Sequence, residues 1–168
     1  NDIAPVTGIR EFLDSLNRHS IARGIGTSAP RANVDFTLSR TGLPPYFEVI
    51  LDESFVSRGK PDPEIYLKTA AALGYAPKDC IVIEDSLAGV ESGLSAGSQV
   101  VAITTHGSTK LINAIQGECG KRVITRSLRV LCNRWARARW VAMYGLDHAG
   151  QRRRERFLER VDRVMSKL

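Results

Sequence analysis

Apolar and polar positions change period along this chain, and each change marks a new element. In "IREFLDSLNRH", residues 9–19, Ile9, Leu13 and Leu16 recur on one helical face. "IARGIGTS", 21–28, predicts a short strand that ends in hydroxyls. "RANVDFTLSRTG", 31–42, predicts a helix stopped near Gly42, and "FEVILD", 47–52, a strand that ends in an acid. In "KPDPEIYLKTAAALGY", Asp62 is placed as helix N-cap, Pro63 as the first helical residue and Gly74 as the stop. "CIVIEDS", 80–86, carries a continuous apolar run, as a strand covered on both faces does. Ser86 then caps a helix in which Gly89, Gly93 and Ala96 allow a close approach to a sheet. Gly97 ends it, and "QVVAIT", 99–104, is the next strand.

Strands and helices alternating at this spacing imply a parallel sheet with right-handed crossovers. In such an α/β, Rossmann-like sheet, ligands bind beyond the carboxyl ends of the strands. Those ends carry Thr27 and Ser28, then Asp52, then Glu84 and Asp85, then Thr104. Hydroxyls and carboxylates collected on one rim suit a phosphate with a hard cation such as Mg²⁺, which prefers oxygen ligands. Each residue alone has a plainer reading. Asp85 or Ser86 is a helix cap, Lys60 is a solvated loop lysine, and strand ends commonly carry threonine. Gly24-Ile25-Gly26 lies inside a strand and lacks the third glycine of a dinucleotide loop. The order of hydroxyl, lysine and acid pair, each at or just past a strand end, favours the functional reading.

Composition narrows the class. The 168 residues suit about one domain. Hydrophobic content of 43% and charged content of 25% are those of an ordinary globular chain. Cys80, Cys119 and Cys132 are odd in number and show no CxxC spacing, which argues against a disulfide framework or a zinc site and for a cytoplasmic protein. No apolar run approaches the length of a membrane span. The chain opens at Asn1 with no visible signal peptide, and its true start is expected to lie elsewhere. Charge divides the molecule: residues 1–115 hold 10 Lys/Arg against 13 Asp/Glu, a net −3. Residues 116–168 hold 14 against 5, a net +9. "QGECG", 116–120, is the candidate joint between a core and a basic tail.

With those motifs in view, residues from about 5 to 105 resemble the haloacid dehalogenase superfamily, in its β-phosphoglucomutase-like phosphatase subgroup. "GIGTSAP" resembles the second family motif, "GKPDPEIY" the third and "IEDSLAGVESGLSAG" the fourth; "GLPPYFEVIL" fits the segment before the third. The resemblance implies Mg²⁺-dependent phosphoryl transfer from a small phosphate ester, of the sugar phosphate or phosphoglycolate class. It implies that Thr27 donates to the transferring phosphoryl group, with Ser28 beside it. It further implies that Lys60 neutralises phosphate charge, and that Asp85, assisted by Glu84, holds Mg²⁺. Residue types agree, because phosphoryl transfer is mostly positioning and charge neutralisation.

The family's first motif, D-x-D-G-T/V, is not found in these residues, and neither is the helical cap that the resemblance places before residue 5. Its first Asp is the nucleophile, so the chain as it stands is expected to be an inactive fragment with weak or no Mg²⁺ binding. The family's first strand lies between the "IVIE" and "ARGIG" strands, so its loss predicts a slot in mid-sheet. A partner chain or a tail segment is expected to fill that slot.

Within the tail, "RVITRSLRVL", 122–131, is a candidate strand. "RWVAMYGLDHAG", 139–150, leads into Asp147 with Gly150 three residues on, which keeps open a permuted enzyme using Asp147. Phe157, Val161, Val164 and Leu168 share a face of an amphipathic helix over about 151–168. The remaining alternative is a non-catalytic binding or regulatory protein that uses the basic tail, with Trp135 and Trp140 beside its arginines. Neither nucleic acid nor a membrane is an expected partner.

Overall fold

The computed structural model describes residues 4–6 and 8–103, together with the backbone of 123–125. Its elements run α1 (Ile9–Arg18), β1 (Gly24–Gly26), α2 (Arg31–Thr41), β2 (Val49–Leu51), α3 (Glu64–Ala72), β3 (Ile81–Glu84), α4 (Leu87–Ser95), β4 (Gln99–Ala102) and β5 (Val123–Thr125). The chain is α/β, and every strand pair among the described residues is parallel.

Local chemistry sets most boundaries. Gly42, Gly74 and Gly97 follow α2, α3 and α4 with φ of 62°, 81° and 84°, a backbone that side chains disfavour. Ser86 caps α4 by accepting from the Gly89 N–H at 3.1 Å. The Asp62 carboxylate accepts from the Glu64 N–H at 3.0 Å, but the cap position falls one residue later than expected, on Pro63, whose carbonyl accepts the first helical bonds. α1 buries Phe12 as well as Leu13 and Leu16, against Leu43, Tyr46, Phe47 and Ile103.

The strands form two separate parallel groups, β1-β2 and β3-β4-β5. The Thr27 N–H donates to the Leu51 carbonyl, and the Glu48 N–H to the Arg23 carbonyl, each at 3.0 Å. The backbone of alternate residues points to opposite neighbours in a parallel strand, so Gly24 and Gly26 turn theirs away from β2. Likewise the Gln99 N–H donates to Cys80 at 3.1 Å and the Ile103 N–H to Glu84 at 2.7 Å, so Ile81 and Ile83 turn theirs away from β4. No strand among the described residues pairs with either of these outer edges. Among the described residues, the two edges expected to flank the slot, on β1 and β3, are therefore without a strand.

β3 also departs from the sequence expectation. It is covered on one face only: Val82 and Glu84 are buried, whereas Ile81 and Ile83 are 47% and 38% exposed. No described element packs over the second face. β5 lies inside the segment read as the basic tail and joins β4 on the side away from β3. The sheet thus draws on both sides of the division at 115/116, and this strand extends an outer edge rather than entering the slot. Thr104, Asp147 and the helix expected over about 151–168 lie outside the described residues.

On the covered face, α4 lies unusually close to the sheet. A β carbon on Gly93 would sit 2.9 Å from Val100 Cγ2 and 3.1 Å from Val82 Cγ1. Around this contact Val82, Val90, Val100 and Ala102 form a core into which Tyr66 and Leu94 also pack. No helix among the described residues is long and apolar enough to cross a membrane.

Candidate functional site

Lys60 and Glu84, far apart in sequence, meet at the end of β3. The loop before α3 carries Lys60, whose ammonium forms an ion pair with Glu84 Oε1. The Lys60–Pro61 peptide bond is cis. Glu84 is 9% exposed, so its charge needs partners. It has several. The Tyr66 hydroxyl also donates to Oε1. Ser86 Oγ donates to Oε2 at 3.1 Å, and the N–H groups of Asp85 and Ser86 approach the same oxygen at 3.2 and 3.4 Å. Gly89 makes room: a β carbon there would collide with the Glu84 carboxyl group.

Burial pushes the Glu84 carboxyl upward, but the hydrogen bonds from Lys60 and Tyr66, the lysine charge and Ser86 together hold it below the ordinary glutamate value. The Tyr66 hydroxyl is pushed up, first by burial and then by the neighbouring Glu84 charge, and stays a donor. Lys60 is clamped twice by this tyrosine. Its ammonium lies 2.8 Å from the hydroxyl oxygen and 4.7 Å from the ring centroid.

Tyr66 joins the two halves of the rim. A β carbon on Gly26, the last residue of β1, would lie 3.5 Å from Tyr66 Cδ1, while the hydroxyl at the far end of the ring reaches Glu84. Thr27 follows Gly26 directly, and its Oγ1 accepts from the Ala29 N–H at 3.1 Å. Ser28 is exposed on the same turn, and Asp85 is exposed beside Glu84. Asp52, at the end of β2, is 1% exposed and accepts from the Ser54 N–H and Oγ at 2.9 and 2.6 Å. Those Ser54 bonds hold its carboxyl below the ordinary aspartate value against the effect of burial.

Of the residues singled out in the sequence, the structure thus brings Lys60 and Glu84 into contact, while Thr27 follows Gly26, the residue beside the Tyr66 ring. Tyr66 itself was missed. The available signal was a polar-tipped aromatic in the first turn of a helix that starts in the lysine loop.

Magnesium is the cation the resemblance implies. No cluster of three or more candidate metal ligands occurs among the described residues. Both oxygens of Glu84 are already engaged, which leaves Asp85 as the exposed acid of the pair. The described residues do not by themselves make a magnesium site.

The Lys60 loop depends on a second acid. Glu64 Oε2 accepts from the N–H groups of Ser57 and Arg58 at 2.8 and 3.1 Å, and Oε1 pairs with Lys68 at 2.7 Å. The Lys68 bond, then the Arg58 and Ser57 amides, lower its pKa from 4.5 to about 2. A depressed carboxyl stabilises the fold above its unfolded value and loses that contribution as pH falls through the folded one. The loop should therefore loosen between about pH 4.5 and about 2. The protection of the Ser57 and Arg58 amides, taken relative to the intrinsic exchange rate at each pH, should fall in the wild type as pH drops through this window. In Glu64→Gln that protection should be low already and independent of pH.

Comparison with known proteins gives the family. Residues 1–103 match the haloacid dehalogenase-like hydrolase family. The chain belongs to that family. Hexitol phosphatase A of Escherichia coli is 38% identical over 113 residues, which are 67% of this chain and 52% of the phosphatase. β-Phosphoglucomutase of Bacillus subtilis is 36% identical over 102 residues, 61% of this chain and 43% of the mutase. The chain spans about half or less of the length of the curated relatives it matches. Among solved structures, a putative β-phosphoglucomutase from Thermotoga maritima superposes with a TM-score of 0.68 at 28% identity, covering 80% of this chain and 61% of that one. A family hydrolase from Deinococcus radiodurans with bound phosphate and sodium gives 0.64 at 31%, covering 79% and 59%. Hence the parallel α/β sheet is the Rossmann-like fold of this family.

Proposed function

We propose that these residues form the phosphate-binding half of a phosphatase or phosphomutase site for a small phosphorylated metabolite of the sugar phosphate class. The observation that carries this is the buried Lys60–Tyr66–Glu84 cluster, set within one tyrosine's reach of the strand end that bears Thr27. Relatives that are a hexitol phosphatase, a phosphorylated carbohydrates phosphatase and a β-phosphoglucomutase support the substrate class. Lys60 brings positive charge to the rim, Thr27 and Ser28 bring hydroxyl donors, and Asp85 brings the exposed carboxylate that would attract Mg²⁺. A cytoplasmic location fits the unspaced cysteines.

No carboxylate among the described residues stands at the end of a strand between β1 and β3, and the sequence contains no D-x-D. The 168-residue chain should therefore bind inorganic phosphate weakly and leave p-nitrophenyl phosphate intact, with or without Mg²⁺. Preparations of the wild type, Lys60→Ala and Asp147→Asn, compared in one assay, check this. Metal-dependent turnover abolished by both substitutions would overturn it in favour of the permuted enzyme that uses Asp147.

A further inference from the structure

Ser92 sits in the middle of α4 and is 0% exposed. A serine inside a helix usually turns its hydroxyl to its own helix, onto the carbonyl four residues back. Ser92 does not. Its Oγ donates across the interface to the Asp62 carbonyl at 2.7 Å. Asp62 lies two residues after Lys60 and holds the lysine loop closed: its N–H donates to the Gly59 carbonyl at 3.1 Å and its carboxylate accepts from the Glu64 N–H at the start of α3.

The same helix holds the other partner of the ion pair. Ser86, the cap of α4, donates to Glu84 Oε2. Ser86 and Ser92 are six residues apart, roughly 9 Å along the helix axis. One rigid element therefore sets the position of Glu84 at its first turn and of the lysine loop two turns on. Gly93, the next residue, lets the helix approach closely enough for the Ser92 hydroxyl to reach the loop.

We propose that Ser92 is a positioning residue for Lys60: its hydroxyl anchors the Asp62 carbonyl to α4 and so holds the Lys60 ammonium where an oxyanion meets it. This rests on the reading of Lys60 as the phosphate-binding cation. Ser92 touches no anion and acts only through the loop.

The test uses the full chain and inorganic phosphate. Ser92→Ala should weaken phosphate binding about fivefold, the effect of one lost hydrogen bond. Val90→Ala, in the same helix and equally buried, should destabilise the fold without changing phosphate affinity. A second readout follows Lys60 itself. Hydrogen exchange at its Nζ, seen by nitrogen-15 NMR, should be slow in the wild type and in Val90→Ala, and about tenfold faster in Ser92→Ala. Should Ser92→Ala fail to fold, Ser92→Cys, which keeps the size and a weaker donor, should show a smaller change in the same direction. If Lys60→Ala leaves phosphate binding intact, the reading of Lys60 is wrong. If Lys60→Ala weakens binding and Ser92→Ala does not, the positioning role is wrong. If the wild type binds no phosphate, the exchange rate decides, and an Nζ rate unchanged by Ser92→Ala overturns the proposal.

Discussion

A short strand-forming peptide is expected to raise the melting temperature of the 168-residue chain. The reason is the pair of open edges. Gly24 and Gly26 on β1, and Ile81 and Ile83 on β3, direct backbone groups to edges that no described strand pairs with. A strand that pairs with these edges would complete their backbone hydrogen bonds and cover apolar surface, and so stabilise the folded state. The added strand should be apolar on both faces, because Ile81 and Ile83 already present an exposed apolar surface beside it. A ligand at about 100 times its Kd adds about 2.7 kcal/mol. For a chain of this size that corresponds to roughly 5–10 °C. Suitable peptides are ten-residue sequences of alternating valine and isoleucine that end in Asp-x-Asp. The control carries a central proline, which lacks the N–H the ladder needs. Equal shifts from both peptides, or none from either, would show that the slot is not available to a strand.

Lys60→Ala should cost about 2–4 kcal/mol, against less than about 1 kcal/mol for an exposed pair. Lys60 and Glu84 side chains are only 13% and 10% exposed, so the variant leaves a buried carboxylate without its cation. Tyr66 and Ser86 still donate to it, which keeps the loss below that of a fully orphaned charge. Combining Lys60→Met with Glu84→Gln should recover much of the loss, since both charges then go together. The pH dependence has a definite sign. In the wild type, Glu84 is held below its ordinary value, so its contribution is present above the unfolded glutamate pKa and disappears as pH falls through the folded one. Without Lys60, burial acts with less opposition and raises the carboxyl, which then protonates at higher pH. The difference between wild type and variant should therefore shrink as pH falls. Urea unfolding at several pH values measures it. A cost under about 0.5 kcal/mol that is flat with pH would place the pair in solvent instead.

Much of this molecule could be read from residue order. The helix stops at Gly42, Gly74 and Gly97, the Ser86 cap, and the alternation of strand and helix are local matters. A cap needs only its own side chain and the next turn, and a stop needs only a residue that tolerates positive φ. Lys60 and Glu84 were legible for a related reason, since topology alone brings strand ends and the loops beyond them to one rim.

Contacts between distant segments were decided in three dimensions. Nothing local told that Glu84, and not Asp85, would be the buried acid; that followed from strand alternation, which turned Glu84 toward Tyr66 and Gly89. The exposure of Ile81 and Ile83 was hidden likewise, because an apolar run states what a strand prefers to touch and not whether anything covers it. The Ser92 link to Asp62 was least visible of all. A serine among small residues has no periodic signature, and its role arises only where Gly93 brings the helix against the sheet and a carbonyl from thirty residues earlier comes within reach.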